Sequence, residues 1–242
     1  MENNNAVKKT QVYNVIILDR SGSMNCIRKA AVDGFNETLA GIKKAQEKFA
    51  DTQDHFVTLV AFCGCGTQYL LDKVQANDAQ PLELNDYMPC CTTPLYDAMG
   101  ITLTAMRKHV KDIEDSVVVV TIITDGEENS SSEYNGGSIR RLVEELKDEG
   151  WTFTYMGANQ DSAEVAMKMS IRNARNFDYS AAGTMAVMKK DADTRMNFFS
   201  RLSNAKQCEM EHPELAMDNI ERHKLYTSMA DEAFDETENN GI

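Results

Sequence analysis

The chain reads as an α/β protein: a doubly wound, Rossmann-like and mostly parallel sheet with one antiparallel edge strand and helices on both faces. Short apolar runs bounded by turn residues alternate with stretches that repeat apolar residues at helical spacing, which is the pattern of strands and crossover helices. The most hydrophobic run, Val117 to Ile123, is continuous rather than alternating, as in a central strand covered on both faces. A glycine-punctuated break, Cys63-Gly64-Cys65-Gly66, separates two strand patterns closely enough for a hairpin, which supplies the antiparallel edge.

In order, residues 1–10 are polar and read as a disordered leader. Gln11 to Leu18 is the first strand. Ile27 to Phe49 places Ala30, Ala31, Phe35, Leu39, Ile42 and Ala45 on one helical face. His55 to Phe62 and Thr67 to Val74 form the hairpin strands. The loop from Gln75 to Cys91 carries two prolines, and Thr92-Thr93-Pro94 opens a helix from Leu95 to about Lys111, because proline fits the first helical turn. After the Val117 strand, Ser138 to Glu149 is a helix stopped by Gly150, and Trp151 to Met156 is a strand. Gly157 to Gln160 turns into a helix from Asp161 to Met169, Asn176 to Tyr179 is a short last strand, and Gly183 to Ser203 is a long final helix. Met167, Met169, Met185, Met188 and Met196 have helical spacing and are expected in the core. The expected organisation is one domain over residues 11–205, then a helical and acidic tail over 206–242, with a helix from Leu215 to Phe234 and a solvated end.

The 242 residues are 42% hydrophobic, enough for one full core, and carry a net charge of −13. That balance argues against nucleic acid and anionic membrane surfaces, both of which need a basic footprint. No apolar stretch approaches membrane-spanning length, and the polar start lacks a signal core, so a cytoplasmic location is expected. The 6 cysteines do not read as a disulfide scaffold.

The chemistry concentrates where the first strand ends, at Asp19-Arg20-Ser21-Gly22-Ser23. One carboxylate and two hydroxyls at alternate positions converge in a strand-to-helix loop, at the sheet edge where α/β proteins bind ligands. An all-oxygen donor set suits Mg²⁺, Mn²⁺ or Ca²⁺. Alone, the motif is also ordinary turn and cap chemistry. Two further loops at the same edge carry oxygen donors: Thr93 at a helix start and Asp125 after the hydrophobic strand.

With these three elements in order, the chain resembles the von Willebrand factor A-type domains that carry a metal-ion-dependent adhesion site, over roughly residues 10–205. The resemblance is to the compact forms found inside bacteria and phages. The family pattern of Asp-x-Ser-x-Ser, a later Thr and an Asp after the fourth strand corresponds to Asp19/Ser21/Ser23, Thr93 and Asp125. Where many relatives have Gly-Gly before the Thr, this chain has Cys90-Cys91. Thr93 is preferred as the ligand because it directly precedes Pro94-Leu95-Tyr96-Asp97-Ala98, with Thr92 as the alternative.

The resemblance implies that Ser21 and Ser23 bind a divalent cation directly. Asp19 and Asp125 act partly through water, and Thr93 directly or through water. An open coordination position would take an Asp or Glu carboxylate from a protein partner, and the helix from Gly183 to Ser203 would be a candidate switch. The function expected is therefore a non-enzymatic, metal-dependent interaction module. One alternative is a metal-dependent hydrolase or phosphoryl-transfer enzyme. Phosphatases that use a strand-end Asp want a second Asp two residues on, where this chain has Ser21, and no phosphate-binding Gly-x-x-x-x-Gly-Lys loop is present. Another is a scaffold with a vestigial site.

Neighbouring residues are open to blander readings. Glu127 and Glu128 tune the ion or are solvated loop charges; Arg20 contacts a partner or is a surface charge; Asp97 reads as a first-turn helix acid. If the 63–66 hairpin turns at the same edge, Cys26, Cys63, Cys65, Cys90 and Cys91 come together. Four thiolates there would hold zinc, but Cys-x-Cys and Cys-Cys are not the usual spacing, and free thiols on a crowded loop are the preferred expectation.

Overall fold

The computed structural model describes residues 8–158, 162–177 and 180–239. Among these residues six strands form one sheet: β1 (Thr10–Asp19), β2 (Gln53–Cys63), β3 (Gly66–Gln75), β4 (Ser116–Thr124), β5 (Thr152–Ala158) and β6 (Asn173–Phe177), in the order β3-β2-β1-β4-β5-β6. All neighbours are parallel except β2 and β3, the expected hairpin. Among the described residues six α-helices cover the sheet: α1 (Arg28–Lys48), α2 (Leu95–Val110), α3 (Gly136–Asp148), α4 (Ser162–Lys168), α5 (Ala181–Glu211) and α6 (Asn219–Asn239).

Period-two alternation of β1 explains the double winding. Tyr13, Val15 and Ile17 face α2, α3 and α4 with Val118, Val120 and Ile122 of β4. Val12, Ile16 and Leu18 face the other way, toward α1, α5 and α6. Both sets are buried, so the central strands have no polar face to show. The exception is Asn14, whose side chain enters a buried polar network. Arg195 of α5 donates from Nη1 to Asn14 Oδ1 at 3.2 Å, hydrogen-bonds Thr121 of β4, and pairs with Asp191 at 2.7 Å. Asn14 continues to His55 Nδ1 at 3.4 Å, and His55 Nε2 meets Gln53 Oε1 at 2.9 Å. The network fastens α5 to the middle of the sheet.

Several boundaries differ from expectation for local reasons. β6 lies three residues earlier than the expected 176–179, because its register pairs Asn173 with Thr154 and Phe177 with Ala158. Its polar Asn-Ala-Arg-Asn-Phe sequence carries little strand signal, as edge strands often do not; Asp178 and Tyr179 lie outside the described residues, as do residues 1–7 of the expected leader and 159–161 of the expected turn. The leader's last residue, Thr10, already pairs with Gln53. α3 starts at Gly136 because Asn135 and Ser138 form a reciprocal cap, Ser138 N donating to Asn135 Oδ1 at 3.0 Å. It ends at Asp148, and Gly150 just beyond it turns the chain with a φ of +84°, a conformation that favours glycine. Of the methionines expected in the core, Met169 and Met188 are buried, whereas Met167 and Met185 lie on outer helix faces and are exposed.

α5 runs eight residues past Ser203, and α6 packs on α5 and α3. The stretch from residue 206, expected as an acidic tail, supplies Tyr226, Ala230 and Ala233 to a cluster that includes Val12 and Val117. Its fastening is ionic. Asp115, just before β4, accepts from Lys206 Nζ at 2.6 Å and from the Tyr226 hydroxyl at 3.1 Å, while Arg222 reaches Glu209 at 2.9 Å. The acids of the expected solvated end are paired, Glu236 with Arg201 and Glu238 with Lys190. Among the described residues no helix is long and apolar enough to cross a membrane.

Candidate metal centre

The chain reverses winding direction between β1 and β4, and the crevice at their carboxyl ends is a ligand position in sheets of this kind. Register sets what meets there. Leu18 pairs with Ile123, so the next residues, Asp19 and Thr124, are neighbours. After Asp19 the backbone turns into a short 3-10 turn, Gly22–Ile27, that leads straight into α1.

Four of the five expected oxygen donors are joined or adjacent within this crevice. Ser21 Oγ and Ser23 Oγ lie 3.2 Å apart, and Ser23 Oγ donates to Asp125 Oδ1 at 2.7 Å. Asp19 accepts from Ser21 N at 2.6 Å. Thr93 is the fifth, and it faces the same point: a Cβ placed on Gly126 would lie 3.4 Å from Thr93 Oγ1 and 3.7 Å from Ser23 Oγ. Thr93 is buried, while Thr92 is exposed and directs its hydroxyl against Gly64. The geometry therefore separates the two threonines, with Thr93 turned inward.

Asp19 is fully buried, and burial pushes its carboxyl up to about 6, against hydrogen bonds from Thr124 and Ser21 that lower it, with the nearby Asp125 adding to the rise. Among the described residues no cationic side chain is bonded to Asp19, and a carboxylate so kept out of water gains from a cation. Asp125 is also buried; Ser23 is exposed and opens the cluster to solvent.

Supporting residues escaped the sequence reading. Thr124 Oγ1 donates to Asp19 Oδ2 at 2.6 Å, the buried Tyr87 hydroxyl donates to the Asp19 carbonyl, and Thr93 N donates to Asn129 Oδ1 at 2.9 Å. Thr124 and Asn129 flank the Asp125 motif, so their positions were visible although their partners were not. The acids beside the site divide. Glu128 turns inward and accepts from Tyr96 N, Ser130 N and Ser131 N, holding the loop after β4 to the start of α2; Glu127 is exposed. Burial pushes the Asp97 carboxyl up, but the backbone N–H groups of Ser132, Tyr134 and Glu133 outweigh it and hold it below the usual range, so it ties a loop rather than facing the site. Arg20 points away from the oxygen cluster, to Gln68 Oε1 at 3.1 Å and Cys63 Sγ at 3.6 Å.

No family model matches the sequence, and no curated protein matches it. Solved structures do match in fold. The open conformation of the pilus adhesin SpaC from Lactobacillus rhamnosus GG aligns with a TM-score of 0.54 at 15% identity, covering 80% of this chain and 30% of that one. The VWA domain of SpRpn10 aligns with a TM-score of 0.53 at 13% identity, covering 74% of this chain and 94% of that domain. Proximal thread matrix protein 1 from the mussel byssus, solved with a zinc-occupied MIDAS motif, aligns with a TM-score of 0.50 at 14% identity, covering 78% of this chain and 46% of that one. This chain thus spans under half the length of the adhesin and of the mussel protein. The fold is that of a von Willebrand factor A-type domain.

Proposed function

We propose that the chain is a non-enzymatic, metal-dependent protein-interaction module that binds a partner's Asp or Glu carboxylate through a divalent cation held by Asp19, Ser21, Ser23, Thr93 and Asp125. The observation that carries the reading is the convergence of these oxygens, with a desolvated Asp19 among them, at the crevice between β1 and β4. The donor set fits a hard cation: carboxylates and hydroxyls, with no nitrogen or sulfur ligand in the cluster. Magnesium is the first choice, with manganese or calcium as alternatives; the zinc named for the mussel protein's motif shows that a related fold accepts a divalent ion there.

The two acids bring two negative charges, so a bound dication would be neutralised but not overcompensated, and an incoming carboxylate would still be attracted. Exposed Ser23 marks the side from which it would approach. Thr124 holds Asp19 by hydrogen bond, and Asn129 holds the Thr93 backbone, so the donors are positioned before any ion arrives. A nucleophile–base pair of the kind acyl or phosphoryl transfer uses is not among these residues. The −13 net charge disfavours nucleic acid and anionic membranes as partners, and we read the chain as a cytoplasmic protein.

The experiment uses Mn²⁺ as ion and reporter. Water-proton relaxation is measured on Mn²⁺-loaded protein while a capped glutamate amide is added. Loss of relaxivity on adding glutamate, absent with the matching glutamine amide, supports carboxylate capture at an open position. No difference between the two compounds would sink it.

A further inference from the structure

The hairpin turn after β2 and the loop before α2 carry a second donor set, and it is made of sulfur. Cys63 Sγ lies 3.3 Å from Cys90 Sγ, Cys65 Sγ lies 3.7 Å from Cys90 Sγ, and Cys65 Sγ lies 3.0 Å from Cys91 Sγ. Those of Cys63, Cys65 and Cys90 are all within 4.8 Å of one another. Cys26, expected as a fifth member, is exposed on the 3-10 turn and has no sulfur contact of this kind among the described residues. We propose that Cys63, Cys65, Cys90 and Cys91 form a zinc–thiolate site, separate from the oxygen site, that pins the β2–β3 hairpin to the loop carrying Thr93.

The distances suit the ion. Zinc holds thiolates at about 2.3 Å, which in a tetrahedron separates the sulfurs by about 3.8 Å. The Cys63, Cys65 and Cys90 sulfurs are already near that spacing, whereas Cys91, 3.0 Å from Cys65, lies outside that group and would swing in to complete the shell. A disulfide uses two sulfurs, whereas three here share one centre and the fourth adjoins it. Cys65 and Cys91 are exposed, which gives the ion an entry path, while Cys63 is buried at the floor. Four thiolates around a dication leave a negative centre, and the Arg20 guanidinium stands 3.6 Å from Cys63 Sγ to offset it.

The backbone is arranged around the same point. Cys91 holds φ at +61°, a left-handed conformation that is strained for a non-glycine residue. Gly64 seats the hairpin against the loop: a Cβ there would fall 2.3 Å from Thr92 Oγ1. Gly64 N donates to the Thr92 carbonyl at 2.9 Å, Cys90 N to the Arg20 carbonyl at 2.9 Å, and Gly22 N to the Cys91 carbonyl at 3.0 Å. The sulfur site therefore joins both the Asp19–Ser23 loop and the strand of chain leading to Thr93. The unusual Cys-x-Cys and Cys-Cys spacing, which argued against zinc in the sequence, works because a two-residue hairpin turn and a left-handed residue point adjacent thiols to one place.

The test is Co²⁺ substitution of reduced, metal-stripped protein. The expected result is sulfur-to-cobalt charge-transfer absorption saturating at one ion per chain and displaced by stoichiometric Zn²⁺. Asp19→Ala keeps this signal, which separates it from the oxygen site, and so does Cys208→Ser. Cys65→Ser and Cys90→Ser each weaken zinc binding at least tenfold, a loss no smaller than outer-shell changes cause. Cys91→Gly relieves the left-handed strain, so it folds, yet it also loses zinc affinity and the stabilisation that zinc gives the parent. Absence of the charge-transfer band in protein whose thiols are free overturns the proposal. So does a band unchanged in Cys91→Gly, or a mapped Cys63–Cys90 or Cys65–Cys91 disulfide persisting in millimolar thiol reductant.

Discussion

Thr124 Oγ1 donates a 2.6 Å hydrogen bond to Asp19 Oδ2, joining the last residue of one central strand to the last of its neighbour. The bond exists because β1 and β4 are in parallel register up to Leu18 and Ile123. It orients the carboxylate while leaving the charge uncompensated. Thr124→Val keeps the shape and removes the donor. We expect divalent-ion affinity to fall about 10- to 100-fold, the usual range for a residue that supports a ligand, with little change in fold. Titration calorimetry checks it.

Asp19 itself carries a stability cost in the metal-free protein. Its carboxyl is raised from 3.8 to about 6, so the folded state holds this proton more tightly than the unfolded chain does. The associated stability is present below the unfolded value and is lost as pH rises through about 6. Asp19→Asn removes the charge, and the Thr124 hydroxyl can turn to the Gly126 carbonyl, 3.1 Å away, and accept from the new amide. The metal-free variant should be more stable than the parent at pH 7.5 by about 1–3 kcal/mol. Denaturant melts in chelator measure this, and a destabilised variant would contradict it.

Proton and metal compete for the same carboxylate. Ion affinity should therefore be flat above pH 7 and fall by up to tenfold per pH unit below about 6. Affinities measured from pH 5 to 8 would show the bend.

His55 has the opposite sign. Burial first, and then the charge of Arg195, lowers its imidazole to about 3, so it stays neutral in the fold while the unfolded chain takes up a proton near 6.5. This contribution is complete above pH 6.5 and is lost as pH falls toward 3, by about 1.4 kcal/mol per pH unit. A His55→Gln variant should lose part of the acid sensitivity of the parent between pH 6 and 4, visible in the pH dependence of urea midpoints.

Arg195 and Asp191 form a buried ion pair on α5. Arg195→Met strands the Asp191 charge and leaves Asn14 and Thr121 without their donor. It should cost about 3–5 kcal/mol, with much of the loss recovered in the double variant Arg195→Met/Asp191→Leu. Guanidinium unfolding of the three variants decides this.

The sequence showed most of the sheet because Val12 to Leu18 and Val117 to Ile123 are buried on both faces and have no reason to alternate. Asp19, Ser21 and Ser23 were visible as a local motif. Thr93 and Asp125 were visible as oxygen donors at the same sheet edge, but only the family resemblance joined them to Asp19 as one ligand set, since nothing local links positions 74 and 106 residues further on. Thr124 looked like one more turn residue after the strand, and Tyr87 like one more loop residue, because their roles exist only in the folded register. β6 was misplaced because an edge strand needs little hydrophobicity. The acidic end of α6 is solvent-exposed as expected, but its pairing was not legible because the partners Arg201 and Lys190 lie on another helix. The thiol cluster was foreseen in outline but weighed by sequence spacing, which does not describe how a tight turn and a left-handed residue aim side chains.

The most direct test of the account is titration of Mg²⁺ and Mn²⁺ into metal-free protein by calorimetry, for the parent, Asp19→Ala and Ser21→Ala/Ser23→Ala. One site is expected in the parent, with binding lost in both variants while their circular dichroism is unchanged. Equal heats in all three proteins would mean that the five oxygens are turn chemistry and hold no ion.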